Sequence, residues 1–229
     1  MFESRYSKVL TVILVIVIIA IIGLLGFLGY DFYQKYYITK EASEFVDNYK
    51  GDSATEDGNS NTTSNSDNSA SSDIVNEIET ASNNGSSSSS GKKQQYNGFD
   101  VVGTINIPSV NIKYMILDEM TRRSLETAVV VLYPNGDNLN QPGNTVIVGH
   151  NYRNGLFFSN LKRVNIGDKV IITDYRGTTK TYSIYDKQTK DQSDTTFYQR
   201  DTGGKAEITL STCTDASNNL RTVVFAREE

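Results

Sequence analysis

The feature that most constrains this chain is an uninterrupted apolar run near its N-terminus. Residues 9–28 read VLTVILVIVIIAIIGLLGFL, without a charged side chain and with Thr11 as the only polar one. A helix of this length rises roughly 30 Å, which matches the hydrocarbon core of a bilayer. We therefore predict a transmembrane helix over residues 9–29, preceded by a short tail at residues 1–8 and followed by a juxtamembrane segment at residues 30–50.

The charges beside this run predict its orientation. Arg5 and Lys8 come just before the run, and Asp31 follows it directly. Because basic residues are retained on the cytoplasmic side, we expect a single-pass protein of the cell membrane with a cytoplasmic N-terminus and an extracellular remainder. A cleaved signal peptide is the alternative, but such a peptide has a shorter apolar region that ends in a small-x-small cleavage site, and none follows this run.

A polar stretch separates the apolar run from the rest of the chain. Residues 51–95 consist mainly of Ser, Asn, Gly, Asp and Thr, with five consecutive serines at 86–90. Such a composition offers too little apolar surface to offset the entropy lost on ordering, so we predict a flexible linker. A small apolar island at residues 73–80 is either a short helix or part of the fluctuating linker.

Residues 96–229 show the alternating apolar and polar pattern of an all-β domain. The chain offers few helical patterns here, and only residues 122–127 and 156–164 fit a short helix. We predict a hairpin turn at residues 174–177, and a closed barrel or a sandwich as the architecture. The predicted strands cover residues 101–107, 112–117, 145–148, 169–174, 180–186, 206–212 and 222–226.

Charge and composition exclude several classes of function. The chain carries 22 basic and 27 acidic side chains, a net charge of −5, which argues against a nucleic-acid partner. A single cysteine excludes an internal disulfide, and with a single histidine it excludes the usual structural zinc sites. Asp191, Asp194 and Asp201 do not have the spacing of a calcium loop, so we interpret them as solvated charge and expect neither a metal nor a cofactor.

The only histidine and the only cysteine both stand where a predicted strand ends in a polar loop. His150 follows the strand at 145–148, and Cys213 follows the strand at 206–212. Arg221 begins the last strand after a short loop, so it should face Cys213 across two neighbouring strands. A thiolate, an imidazole and a guanidinium together suit acyl transfer: one attacks, one moves the proton and one stabilises the oxyanion. The pattern itself indicates a cysteine acyl-transfer site.

These segments also resemble the signatures of a known family. The TLSTCT sequence that contains Cys213, the LRTVVFA strand that contains Arg221 and the VGHN sequence that contains His150 are similar to those of sortases, the membrane-anchored cysteine transpeptidases of Gram-positive bacteria. The resemblance runs over residues 102–227 and preserves the order His, Cys, Arg. The anchor and linker at the N-terminus fit the same family.

The resemblance implies a closed eight-stranded β-barrel and a two-step reaction. Cys213 would cleave an LPxTG- or NPxTN-like sorting signal near the C-terminus of a secreted protein and form a thioacyl intermediate. A cell-wall amine, from a peptidoglycan precursor or cross-bridge, would then resolve it. His150 would act as general acid and base, and Arg221 would hold the carbonyl and the oxyanion. Ser211 and Thr212 would line the substrate groove, with Ser211 on the same face of the strand as Cys213.

The subclass and two other functions stay open on the sequence. The segments around His150 and Cys213 are most like class B, but residues 187–205 lack the long helical insertion often found there, which leaves class D or another clostridial-type branch open. A membrane-anchored cysteine protease would use water as the acceptor in place of an amine. A non-enzymatic surface binding module would bury Cys213 and leave it unreactive.

Overall fold

The structure consists of a closed β-sheet, and one long helix precedes the sheet in the chain. The computed structural model describes residues 3–49, 93–215, 217 and 219–229. Most of the predicted linker, including the apolar island at 73–80, lies outside the described residues. The elements are α1 (Glu3–Asn48), β1 (Gln94–Tyr96), β2 (Phe99–Ile107), β3 (Ile112–Leu117), α2 (Arg122–Thr127), β4 (Val129–Tyr133), β5 (Gly143–Val148), β6 (Lys169–Asp174), β7 (Thr179–Asp191), β8 (Ala206–Cys213) and β9 (Leu220–Glu228).

The sheet closes on itself and confirms the predicted barrel. Its strand order is β1-β2-β3-β4-β5-β8-β9-β7-β6, and β6 pairs back with β2, so β2 to β9 form an eight-stranded barrel that β1 extends as a hairpin. Closure removes exposed strand edges. Closure of the barrel depends on Gly103. A side chain at this position would place its Cβ 2.5 Å from the carbonyl oxygen of Thr173 and 2.6 Å from Leu139 Cδ2. A residue without a side chain lets β2 approach β6 at this point.

The barrel interior is apolar, as the alternation along the strands predicts. Inward-facing side chains such as Ile105, Ile147, Leu210 and Val224 are fully buried. Burying each side chain of this size stabilises the folded barrel by about 1.5–3 kcal/mol. Apart from this core, Phe197 packs with residues of β5 and β9 in a smaller cluster.

The structure confirms the seven predicted strands and adds two more. β4 reads VVVLY and is buried on both faces at its start, so it lacks the alternation that identifies a half-buried strand. β1 has only three residues. The hairpin turn is also confirmed, because the Asp174 carboxylate accepts hydrogen bonds from the backbone N–H groups of Arg176 and Thr178, at 3.0 and 2.9 Å.

Of the two predicted short helices, one is confirmed and one is wrong. α2 covers residues 122–127 and begins with a capping box between Thr121 and Ser124. The helix predicted over 156–164 is a single 3-10 turn at Leu161–Arg163. Phe157 has a φ of +51°, which interrupts a helix, and its side chain is buried like those of its apolar neighbours. The apolar spacing reflects burial of an irregular segment against the barrel.

α1 contains the predicted transmembrane segment and continues well beyond it. Among the described residues it is the one helix long and apolar enough to cross a bilayer. Its large apolar side chains from Val9 to Leu28 are all exposed, which is the property of a surface that lipid would cover. Exposed aromatic side chains follow at Tyr30, Phe32, Tyr33, Tyr36 and Tyr37.

The last turns of α1 pack against the barrel. Ala42 and Tyr49 are 3% and 8% exposed and belong to the main core, and the ring of Phe45 lies 5.6 Å from that of Tyr96. Lys113 of β3 forms an ion pair with the Asp47 carboxylate. The juxtamembrane segment is therefore helical up to Asn48 and is partly integrated into the domain.

Candidate active site

Two strand pairings bring the three predicted residues to one end of the barrel. β5 lies parallel to β8 with Val148 opposite Ser211, and β8 lies antiparallel to β9 with Cys213 opposite Arg221. Neighbouring strands are about 4.8 Å apart. The chain beyond β5, which carries His150, therefore passes the ends of β8 and β9. All three side chains border one cavity of about 280 Å³.

Cys213 and Arg221 are in direct contact. The Arg221 guanidinium donates a hydrogen bond from Nη1 to Cys213 Sγ at 3.3 Å. The loop between them is closed by a backbone hydrogen bond from Thr214 to the Leu220 carbonyl at 2.9 Å. Cys213 is partly exposed and borders the cavity. The contact places a permanently charged donor at the thiol.

The backbone around His150 is fixed on both sides. Before it, the Gly149 N–H donates to the Ser211 carbonyl at 3.3 Å, and the Thr212 hydroxyl donates to the Gly149 carbonyl at 2.7 Å. The His150 carbonyl itself accepts from the Phe158 N–H at 3.1 Å. His150 is thus held at the end of β8 by bonds that do not use its imidazole, which stays available for proton transfer.

The environment of the imidazole favours its neutral form. Partial burial lowers the pKa of His150 below its ordinary value, because desolvation penalises the cation. The negative charge of Glu126 on α2 acts in the opposite direction and raises that pKa by a smaller amount. The ring also lies 4.9 Å from that of Tyr152. A histidine with these neighbours can both accept and return a proton near neutral pH.

Ser211 and Thr212 both border the cavity beside Cys213. Both are buried, at 4% and 3% exposure. Thr212 uses its hydroxyl to hold Gly149, so it supports the backbone next to His150. Because side chains alternate along β8, Ser211 lies on the same face of the strand as Cys213. That Ser211 or Thr212 binds the substrate stays a prediction.

The cavity also has an apolar side that the sequence analysis missed. Leu132 of β4 and Val148 of β5 border it, and Phe197 and Tyr198 from the connection between β7 and β8 form a further wall. These two aromatics are the only large apolar side chains in the polar stretch 187–205, a signal that was present in the sequence. The cavity is also lined by Met120, Leu125, Gln192 and Asp194.

The loop beyond Cys213 is tied to the loop beyond His150. The Asn151 side-chain amide donates to the Cys213 carbonyl at 2.8 Å, and the Arg153 guanidinium donates to the Asp215 carbonyl at 3.1 Å. The Asp215 carboxylate accepts from the Ser217 backbone and hydroxyl. Asp215 therefore shapes its own loop.

The three aspartates considered for calcium bond to groups of their own turns. Asp191 accepts from Ser193, Asp194 accepts from Thr196 and is paired with Lys190, and Asp201 accepts from the Gly203 backbone. No group of three or more His, Cys, Asp or Glu side chains within the described ranges could hold a metal ion.

The comparison with protein families agrees with the barrel and the site. A family model described as a Sortase domain matches residues 105–229, more than half of the chain, and the chain therefore belongs to the sortase family. Sortase A of Bacillus anthracis is 28% identical over 127 residues, which are 55% of this chain and 58% of that relative. The chain thus spans under two thirds of the length of this relative.

Solved structures of sortases share the fold. A lid mutant of sortase A from Corynebacterium diphtheriae has a TM-score of 0.53 and 30% identity, over 57% of this chain and 71% of that one. A sortase D5 transpeptidase from Clostridium perfringens has a TM-score of 0.50 and 25% identity, over 59% of this chain and 82% of that one. The relatives include sortases of the A, C and D types, and the subclass of this chain stays a prediction.

Proposed function

We propose that this chain is a cysteine transpeptidase. It cleaves an LPxTG- or NPxTN-like sorting signal of a secreted protein and joins the new carboxyl end to an amine of the cell wall. The observation that carries the proposal is the hydrogen bond from Arg221 to Cys213 Sγ, in a cavity that His150 also borders. A related sortase of Clostridium perfringens is described as a transpeptidase.

The first half-reaction forms a thioacyl enzyme. In the reactive form of the site, the Cys213 thiol has given its proton to the neutral His150 imidazole. The Cys213 thiolate then attacks the carbonyl carbon of the scissile bond, and the carbonyl electron pair moves onto oxygen, where Arg221 stabilises the negative charge. When this tetrahedral species collapses, the carbon–nitrogen bond breaks. The His150 imidazolium gives its proton to the departing amine, which leaves a thioester on Cys213 and a neutral imidazole.

The second half-reaction returns the site to its starting state. The acceptor amine attacks the thioester carbon, and Arg221 again stabilises the oxyanion. His150 takes the surplus proton from the amine, the carbon–sulfur bond breaks, and the thiolate leaves beside the imidazolium. No net proton or electron is consumed, so the reaction needs only the two substrates.

We also propose that α1 anchors the chain in the cell membrane with its N-terminus in the cytoplasm. The exposed apolar side chains of residues 9–28 support this placement, as do the basic residues that precede them. The barrel would then lie on the outer face, where secreted proteins and cell-wall amines are found.

The proposal is tested with the full chain in detergent micelles. Quenched peptides of the LPxTG, NPxTN and SPxTG types are supplied with and without an amine nucleophile, and the products are identified by mass spectrometry. We expect a ligated product that requires the amine, and no product with Cys213→Ala. Cleavage that does not depend on the amine would identify a protease, and an unreactive Cys213 would identify a binding module.

A further inference from the structure

One wall of the cavity comes from a segment without regular secondary structure of its own. We call residues 192–205, between β7 and β8, the wall segment. It supplies Gln192, Asp194, Phe197 and Tyr198 to the cavity, and turns and bends make up its backbone. A segment of this kind keeps a fixed position only if other parts of the fold bind its backbone groups.

A single buried amide binds the wall segment at its aromatic residues. Asn144 of β5 is 8% exposed, and its Nδ2 donates to the carbonyls of Phe197 and Tyr198, at 2.9 and 3.0 Å. Its Oδ1 accepts from the hydroxyl of Thr209, which is fully buried on β8, at 2.7 Å. The two carbonyl acceptors set the orientation of the amide, since a flipped amide would turn its oxygen towards two carbonyl oxygens, and the Thr209 bond satisfies the remaining Oδ1.

A buried side chain and an ion pair also hold the wall segment in place. Phe197 is 4% exposed and packs with Val146, Val223 and Phe225, apart from the main core. Further along, Arg200 is paired with the buried carboxylate of Glu207. The apolar cluster holds the Phe197 ring, whereas the Asn144 amide fixes the direction of the backbone that carries both aromatic rings.

We propose that Asn144 is a positioning residue that sets the affinity of the cavity for its peptide substrate. This inference rests on the proposed transpeptidase function. Asn144 does not border the cavity that holds Cys213, and it acts through Phe197 and Tyr198. The contact between Cys213 and Arg221 depends on the pairing of β8 with β9, in which no residue of the wall segment takes part.

This arrangement predicts that binding and chemistry can be separated. Phe197 and Tyr198 have no part in the proposed bond breaking, so we expect their displacement to weaken the binding of the substrate and of the transition state alike. Such a loss raises KM and leaves kcat nearly unchanged. We expect Asn144→Ala to raise KM by roughly tenfold, a change of about 1.4 kcal/mol, which is within the range of a typical net hydrogen bond.

Asn140 provides a matched control. It is also buried, at 3% exposure, and its Nδ2 donates to two backbone carbonyls, those of Ile172 and Thr178, while its Oδ1 accepts from the Tyr182 hydroxyl. Asn140→Ala therefore removes the same set of hydrogen bonds away from the cavity. Asn140 also has a φ of +61°, where alanine is strained, so we expect Asn140→Ala to lower the melting temperature at least as much as Asn144→Ala and to leave KM unchanged.

The experiment compares both variants with the wild type as full chains in micelles. KM and kcat are measured with whichever of the LPxTG, NPxTN or SPxTG peptides the wild type turns over fastest. Hydrogen exchange of residues 192–205 and the rate of Cys213 alkylation by iodoacetamide are measured in parallel. If Asn144→Ala does not fold, Thr209→Val replaces it, which removes the hydroxyl that bonds to the amide oxygen, with an expected rise in KM of about threefold.

We expect faster exchange in the wall segment and a higher KM for the Asn144 variant alone, with the same alkylation rate in all three proteins. An equal rise in KM for both variants, a loss confined to kcat, or unchanged exchange in the wall segment would overturn the inference. If the wild type turns over none of the peptides, the proposed function fails, and the exchange measurement still decides whether Asn144 holds the wall segment.

Discussion

At the scale of single residues, the clearest test concerns the role of Arg221. Its guanidinium lies at the Cys213 sulfur, and the proposal requires it to stabilise the oxyanion. We expect Arg221→Ala to lower kcat/KM by at least ~10²-fold, as the loss of an oxyanion donor does. Arg221→Lys keeps the charge and loses the planar fork, so it should recover only part of the activity. Near-normal turnover of Arg221→Ala would remove this residue from the site.

A second prediction at this scale concerns the charge of Glu126. This carboxylate favours the His150 cation and so raises its pKa against the effect of burial. Glu126→Gln removes that interaction and should lower the pKa, so the acid limb of the pH profile of kcat/KM should move to lower pH.

Because the chain has one histidine, its imidazole can also be titrated by NMR without an assignment. Glu119→Gln changes an exposed carboxylate that does not contribute to the pKa of His150 and serves as the control. An unchanged His150 pKa in the Glu126 variant would show that the Glu126 charge does not raise it.

The sequence predicts the reactive residues more completely than it predicts their surroundings. Cys213, His150 and Arg221 stand at strand ends, and strand pairing alone brings them to one cavity. Phe197 and Tyr198 were missed because their position depends on hydrogen bonds to Asn144, more than fifty residues earlier in the chain. Local patterns carry no information on such long-range contacts.

At the scale of elements, the contact between α1 and the barrel makes a prediction about stability. Phe45 packs on the ring of Tyr96, whereas Phe32 on the same helix is 73% exposed and does not belong to the core. Phe45→Ala should lower the melting temperature of the barrel by about 3–8 °C, because it uncovers apolar surface. Phe32→Ala should leave it unchanged. The melting temperatures of both variants are measured on the full chain in micelles by near-UV circular dichroism. A Phe45→Ala variant that melts at the same temperature as Phe32→Ala would show that α1 does not stabilise the barrel.

Errors in the predicted elements have a common physical cause. β4 was missed because a strand buried on both faces loses its alternation, and the helix predicted over 156–164 was wrong because an irregular buried segment can mimic helical spacing. In both places burial is set by the barrel as a whole. Where polar and apolar side chains alternate along the sequence, as in β8 with Glu207, Thr209 and Ser211, the pattern identifies the strand correctly even though both faces are buried.

At the scale of the whole molecule, the proposed orientation places Cys213 outside the cell. Since the chain has a single cysteine, a membrane-impermeant maleimide applied to intact cells should label the wild type. The matched control carries Ser4→Cys together with Cys213→Ala, which moves the only thiol to the predicted cytoplasmic tail. This control should be labelled only after the cells are permeabilised, and the opposite labelling pattern would reverse the topology.

The proposed function depends on one claim, that Cys213 becomes acylated by a peptide. The most direct measurement is the intact mass of the full chain after brief incubation with the LPxTG, NPxTN and SPxTG peptides in the absence of an amine. We predict a mass increase equal to the N-terminal part of one peptide, located on Cys213, absent in Cys213→Ala and lost when an amine is added. A wild-type chain whose Cys213 reacts with iodoacetamide but gains no acyl mass from any of the three peptides would contradict the account.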